Sequence, residues 1–250
     1  MGQLMFAPGK RPPDAAEHIP WLRRRLLSWF EQSGRSFPWR EPGRTPYEVV
    51  VAEILLQRTT AAGVARSYPE FIERYPSWTA LAQAPPGDLE HALRPLGLWR
   101  HKARALGHLA QSIEEHGGAL PHSRAELESL PGIGPYTASA VLAIVYGRAE
   151  PLLDVNMTRL LGRFIGPIEL AGTNSKRSLC AFALRLVSGR RSLRVNWAAL
   201  DFGALVCRAR RPLCSECPLR TRCHYAIQPQ LSQPTPTSSA LSGSRSAGGR

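Results

Sequence analysis

Four cysteines within 17 residues constrain this chain more than any other feature of it. Cys207, Cys214, Cys217 and Cys223 follow the spacing C-x6-C-x2-C-x5-C. A cluster this dense either closes a stapled fold through disulfides or gathers around a metal. The remainder of the chain decides between them. The opening MGQLMFAPGKRPPDAAEH has no apolar core followed by a cleavage site, so it does not read as an export signal. No apolar run of about 18 residues is present to cross a bilayer. A cytoplasmic, reducing location is therefore expected, and there the cysteines read as metal ligands. Spacing alone leaves zinc and an iron–sulfur cluster both open. It leans to the cluster, because zinc sites more often use two C-x2-C pairs or add histidines. The fifth cysteine, Cys180, sits in an apolar helical stretch and is expected to be a small buried residue.

The loop between the first two ligands, RARRPL, carries Arg208, Arg210 and Arg211. Three guanidinium groups on a metal-pinned loop suit phosphate contacts; the plain alternative is a solvated basic loop. The chain as a whole points the same way. It has 32 Lys and Arg against 19 Asp and Glu, a formal net charge of +13, which favours a polyanionic partner. A membrane surface is disfavoured, since no basic helix with one strongly apolar face stands out. Only Lys10, Lys102 and Lys176 are lysines.

Helical periodicity dominates. Trp21, Leu22, Leu26, Leu27, Trp29 and Phe30 recur at helical spacing. Thr45-Pro46 reads as a cap followed by a first-position proline, opening PYEVVVAEILLQ as a helix despite its β-branched residues. Further helices are expected near 62–74, 87–94, 100–116, 123–129, 136–147, 156–165, 174–188 and 194–206. No alternating pattern bounded by hairpin turns appears, so the fold class is all-α. Residues 1–17 and 226–250 are non-periodic and are expected to be disordered.

The segment LPGIGPYTASAVLA at 130–143 follows a short helix, RAELESL. Gly132 and Gly134 are expected to make a tight turn with bare backbone N–H groups. The helix starting at Pro135 adds orphan amides and the positive end of its dipole. Together they predict a sequence-independent phosphate clamp.

With these pieces in order, the chain resembles the helix-hairpin-helix DNA glycosylase superfamily that contains endonuclease III and MutY. The carriers are LPGIGPYTASA, Asp154 in LLDVNMTRLLGR, and C-x6-C-x2-C-x5-C. The resemblance runs from about Arg35 to Cys223. It implies that the four cysteines hold a [4Fe–4S] cluster. It also implies a six-helix barrel with the hairpin at 46–155, a cluster domain of 18–45 plus 156–225, and a DNA cleft between them. Bifunctional members carry a lysine two residues after the second hairpin glycine, whose amine attacks the sugar. Tyr136 stands there in this chain, so the resemblance implies a monofunctional enzyme that uses water.

Within that branch, Glu53 in AEILLQRT matches the acidic residue of both MutY and the MIG-type thymine mismatch glycosylases. Three departures set the chain apart from MutY. Arg58-Thr59-Thr60-Ala61 is more similar to the MIG type, GLWRHKARAL lacks the usual paired tyrosines, and only 27 residues follow Cys223. The expected substrate is thus thymine or uracil opposite guanine in double-stranded DNA, with adenine opposite guanine or 8-oxoguanine as the alternative. The enzyme would act as a monomer.

The resemblance assigns the chemistry as follows. Asp154 stabilises the oxocarbenium-like sugar and orients or deprotonates water; capping the helix that starts near Asn156 is the alternative reading of the same residue, compatible with that role. Glu53 protonates the leaving base or activates water. Tyr136 and Asn156 position sugar, water or base. Gln57 and Arg58 are candidates to fill the space of a flipped nucleotide, and Leu98 and Trp99 for the opposite-strand wedge, with core packing the other reading of Trp99. Two rival classes are a non-catalytic iron–sulfur DNA-binding protein and a ferredoxin-like electron carrier. Intact Asp154 and Glu53 oppose the first, and the basic charge and hairpin oppose the second.

Overall fold

The computed structural model describes residues 15–166 and 175–227. Every regular element among them is helical, as expected from the periodicity. The first helix, α1 (Ala15–Ser33), starts inside the stretch expected to be irregular, and α12 (His224–Ile227) takes in the first two residues of the expected tail. The disorder expected for the rest of both ends falls on residues 1–14 and 228–250, outside the described residues.

Between these ends the chain forms α2 (Pro46–Leu56), α3 (Ala61–Arg74), α4 (Trp78–Ala82), α5 (Pro86–Leu93) and α6 (Trp99–Glu115). There follow α7 (Arg124–Ser129), α8 (Pro135–Ile144), α9 (Val155–Ile165), α10 (Ser175–Val187) and α11 (Ser192–Leu205). The boundaries lie within a few residues of those read from sequence. The largest difference is the end of α8, which stops at Ile144 because the chain reverses through Gly147 at φ +66°. Helix α4 escapes periodicity because it is five residues long; Ser77 caps it by accepting from the Ala80 amide at 3.1 Å.

The start of α2 is the cap expected at Thr45-Pro46, made reciprocal by Glu48. The Thr45 hydroxyl accepts from the Glu48 amide at 3.2 Å, and the Glu48 carboxylate accepts from the Thr45 amide at 2.6 Å. Helices α2 and α8 are apolar on nearly all sides, with eight and seven residues buried. Both are central helices of one core, which also takes in Tyr68, Leu81, Leu93, Leu106 and Ile113. A second core joins α1, α9, α10 and α11 through Leu22, Leu26, Leu161, Leu186, Ala199 and Phe202. Trp39, expected to lie with the cluster domain, packs instead in the first core.

Polar side chains stitch the two cores together. Asn196 is fully buried; its carbonyl accepts from the Leu152 amide at 2.8 Å, and its amide donates to the Glu150 carbonyl at 2.9 Å. Asp201, also fully buried, receives the Arg35 amide at 2.8 Å and the guanidinium groups of Arg35 and Arg40 at 2.6–3.1 Å. Within the second core, α9 and α11 approach closely at the backbone. A Cβ on Gly203 of α11 would fall 2.7 Å from the Asn156 carbonyl oxygen on α9, so these two helices touch main chain to main chain.

Candidate active site and cysteine centre

The seam between the cores opens into a cavity of about 350 Å³. Glu53 from α2, Tyr136 from the first turn of α8, and Asp154 and Asn156 from the start of α9 all line it. These residues are separated by up to 103 positions in sequence, and the fold brings all four to one pocket. Arg35, Arg40, Gln57 and Leu200 complete much of the wall.

Burial controls the electrostatics here. Glu53 is 8% exposed, and loss of water pushes its carboxyl up to about 7. Arg40 opposes the shift and Asp154 adds to it. Asp154 is pushed up by burial too, against three hydrogen bonds that favour its charged form. It accepts from the Asn156 amide at 2.8 Å, the Met157 amide at 2.7 Å and the Asn156 side chain at 2.6 Å. Capping therefore uses up one oxygen and fixes the carboxylate at the positive end of α9. Burial raises the Tyr136 phenol well above its usual value, and the two carboxyl groups add to that. Arginine contacts hold Asp201 below the ordinary carboxylate range despite its burial.

The hairpin lies between α7 and α8. Gly132 adopts φ +78°, and a Cβ there would come within 3.2 Å of the Ala105 Cβ on α6. Gly134 is not left-handed: its backbone is extended at φ −93°, with open space where a Cβ would be. Only the first glycine is needed for left-handed geometry, because one reversal suffices to aim the chain into α8. Ala138 is the first residue of α8 whose amide reaches a helical carbonyl, that of Gly134 at 2.9 Å. The Gln57 side chain donates to the Gly132 carbonyl at 3.2 Å, tying the end of α2 to the hairpin.

Arg58 and Leu98 both hold positive φ, +55° and +60°. Neither is glycine, so both turns store backbone strain. Arg58 is exposed, and Leu98 projects with 46% of its surface exposed. Trp99 is half-buried and packs against the first core, with the Arg100 guanidinium 4.0 Å from its ring centroid.

Cys207, Cys214, Cys217 and Cys223 line a single small cavity with Leu160, Phe164 and Phe202. All five cysteines are free thiols, and Cys180, half-buried on α10, does not line this cavity. Among the described residues, no group of three or more His, Cys, Asp or Glu side chains is placed to hold a metal ion. Burial pushes Cys217 up to about 11, and the neighbouring thiols add to the shift. Arg208, Arg210 and Arg211 are exposed on the following loop. Arg163 anchors that loop by donating to the Arg208 and Ala209 carbonyls at 2.7 and 3.1 Å. Gly166 at φ +80° makes room for His224, with whose ring a Cβ would overlap at 2.3 Å.

Several residues that shape the site carry no motif. Arg159 donates to Asn156 Oδ1 at 2.8 Å, to the Gly203 carbonyl at 2.7 Å and to the Cys207 carbonyl at 2.8 Å. It physically joins pocket to cysteine loop. Arg35, Arg40 and Asp201 were equally silent in sequence, although a lone carboxylate in the apolar helix NWAALDFGALV is a signal that some cation must meet it.

Comparison with known proteins gives a consistent picture. A family profile described as HhH-GPD superfamily base excision DNA repair protein matches residues 51–177. A thymine-DNA glycosylase of Aeropyrum pernix is 40% identical over 212 residues, which span 83% of this chain and 95% of that one. An adenine DNA glycosylase of Mycobacterium tuberculosis is 37% identical over 196 residues, 78% of this chain but 64% of that longer protein. The solved structure of a thermostable thymine-DNA glycosylase superposes with a TM-score of 0.78 at 31% identity, covering 86% of this chain and 99% of the other.

Proposed function

Since the chain belongs to the HhH-GPD superfamily of base excision DNA repair proteins, we propose that it is a monofunctional DNA glycosylase that removes thymine or uracil opposite guanine. The observation that carries this reading is the pocket. It holds a capped, ionisable Asp154 and a Glu53 poised near neutral pH, and among the described residues no lysine lines it. Lys102 is buried elsewhere and Lys176 is exposed on α10. Without an amine in reach, water is the nucleophile.

The target nucleotide leaves the duplex and enters the seam, a step that costs least at a mismatch. As the glycosidic bond lengthens, positive charge grows on the sugar, and the fixed Asp154 carboxylate faces it without reorganising. Glu53, with its carboxyl raised to about 7, keeps a substantial protonated fraction at neutral pH and donates to the departing base. Asn156, itself held by Arg159, keeps Asp154 oriented. Bare amides around Gly132 and Gly134 and the exposed arginines 208, 210 and 211 receive backbone phosphates on either side of the cleft.

The cysteine site fits a [4Fe–4S] cluster. The four cysteines line one apolar cavity, and four cysteine ligands are the usual complement of such a cluster. Cys207, Cys214, Cys217 and Cys223 would hold it. Bound there, the cluster would supply a rigid support for the arginine loop; hydrolysis requires no electron.

Single-turnover excision on T·G, U·G, A·8-oxoguanine and A·G duplexes tests the proposal. Excision of T and U, with strand breakage only after alkali, is expected. Asp154→Ala should abolish it and leave duplex binding intact. Preference for adenine would assign the chain to the activity named in its adenine glycosylase relatives.

A further inference from the structure

Lys102 is an unusual lysine. It is 1% exposed in the first turn of α6, and the chemistry above does not use it. Its ammonium donates to the Gln57 carbonyl at 2.5 Å, at the negative end of α2. Among the described residues no carboxylate forms an ion pair with it. A cation is rarely buried to satisfy a carbonyl alone, so its placement needs a reason.

The two strained turns supply one. Gln57 precedes Arg58, and the Lys102 amide donates to the Leu98 carbonyl at 3.0 Å. From Gln57 the connection continues to the hairpin through the 3.2 Å bond to the Gly132 carbonyl. Three residues further along α6, Ala105 packs against the same glycine. One unbroken chain of bonds therefore runs Leu98–Lys102–Gln57–Gly132, and Lys102 is its centre.

We propose that Lys102 is a positioning residue that latches the Arg58 turn, the Leu98 turn and the hairpin into a single stiff edge for opening duplex DNA. The DNA part of this inference rests on the glycosylase reading. The latch itself does not: it predicts that two turns about 40 positions apart in sequence loosen together when one buried amine is removed.

The test combines amide hydrogen exchange with single-turnover excision in Lys102→Met and Lys102→Arg. In Lys102→Met, exchange in segments 56–60 and 97–101 should rise together, roughly tenfold or more, the scale of one lost hydrogen bond to a charged group. Excision from U·G duplex should fall by a similar factor, whereas excision of uracil from a single-stranded oligonucleotide, which needs no opening, should change less than about twofold. Lys102→Arg, which keeps a cationic donor, should recover part of both. Equal losses on duplex and single strand would mean damage to the pocket and overturn the latch, as would loosening of one turn without the other. If Lys102→Met does not fold, Lys102→Leu, which likewise lacks a donor, carries the same comparison. Wild-type protein that excises no base would sink the glycosylase reading, and the exchange data would still judge the latch.

Discussion

Glu53 shows how one residue can trade stability for chemistry. Its carboxyl is pushed to about 7 in the fold, above the ordinary carboxylate value it regains on unfolding. The folded state therefore binds the extra proton, and stability falls as pH rises from about 4.5 towards 7. Glu53→Gln removes that penalty. Thermal melting at pH 8 should find the variant more stable than wild type, by on the order of 2 kcal/mol, with the difference gone at pH 4. The same proton sets the activity. Excision should decline as pH rises through about 7, and the variant should lose that limb together with most of its rate. A variant that is stabilised yet retains the alkaline decline would move the donor role to another group.

At the level of elements, the hairpin divides its work between two glycines that look equivalent in the sequence. Gly132→Ala must place a side chain at φ +78° and against Ala105, so it should lower stability by about 1–2 kcal/mol in denaturant titration. Gly134→Ala meets open space at an ordinary φ, so its effect should appear in DNA affinity with little change in stability. Sequence reading could not separate them, because Gly-x-Gly reports permissiveness and not the angle adopted. Elsewhere it saw most of the architecture. Long amphipathic helices such as α6 announce themselves by period, and capped ones such as α2 by Thr45-Pro46. The four-residue pocket set was legible only through motif resemblance, since Glu53 lies on an apolar helix and Asp154 without the motif would read as a helix cap. What stayed hidden was the supporting layer. Arg35, Arg40, Asp201 and Arg159 act across more than 40 residues of separation, and no local pattern encodes a partner that far away.

At the scale of the whole molecule, the two cores depend on their joint. Asp201→Ala would leave two guanidinium groups at the seam without their anion, with Arg40 only 11% exposed. A loss of about 3 kcal/mol is expected by chemical denaturation. Because its folded carboxyl titrates below the ordinary range, Asp201 stabilises the fold above the unfolded pKa, and that contribution fades as pH falls through the lower folded value. The second core should also depend on its cysteine centre. If the cysteines hold the proposed cluster, removing its iron with a chelator should raise protease sensitivity around residues 207–223 and weaken DNA binding, while the first core keeps its helical signal.

The main-chain contact between Gly203 and Asn156 has a bearing on how this protein can diversify. One wall of the pocket hangs from the first core and the opposite wall from the second, and the second is set by a contact that admits no side chain. New base preferences are therefore open through exchange of outward residues on α11 such as Leu200, which alter one wall and leave the register of Asp154 untouched. Substitution at Gly203 itself would displace the reacting groups, and a lineage can vary the shape of its substrate far more freely than the spacing of its chemistry.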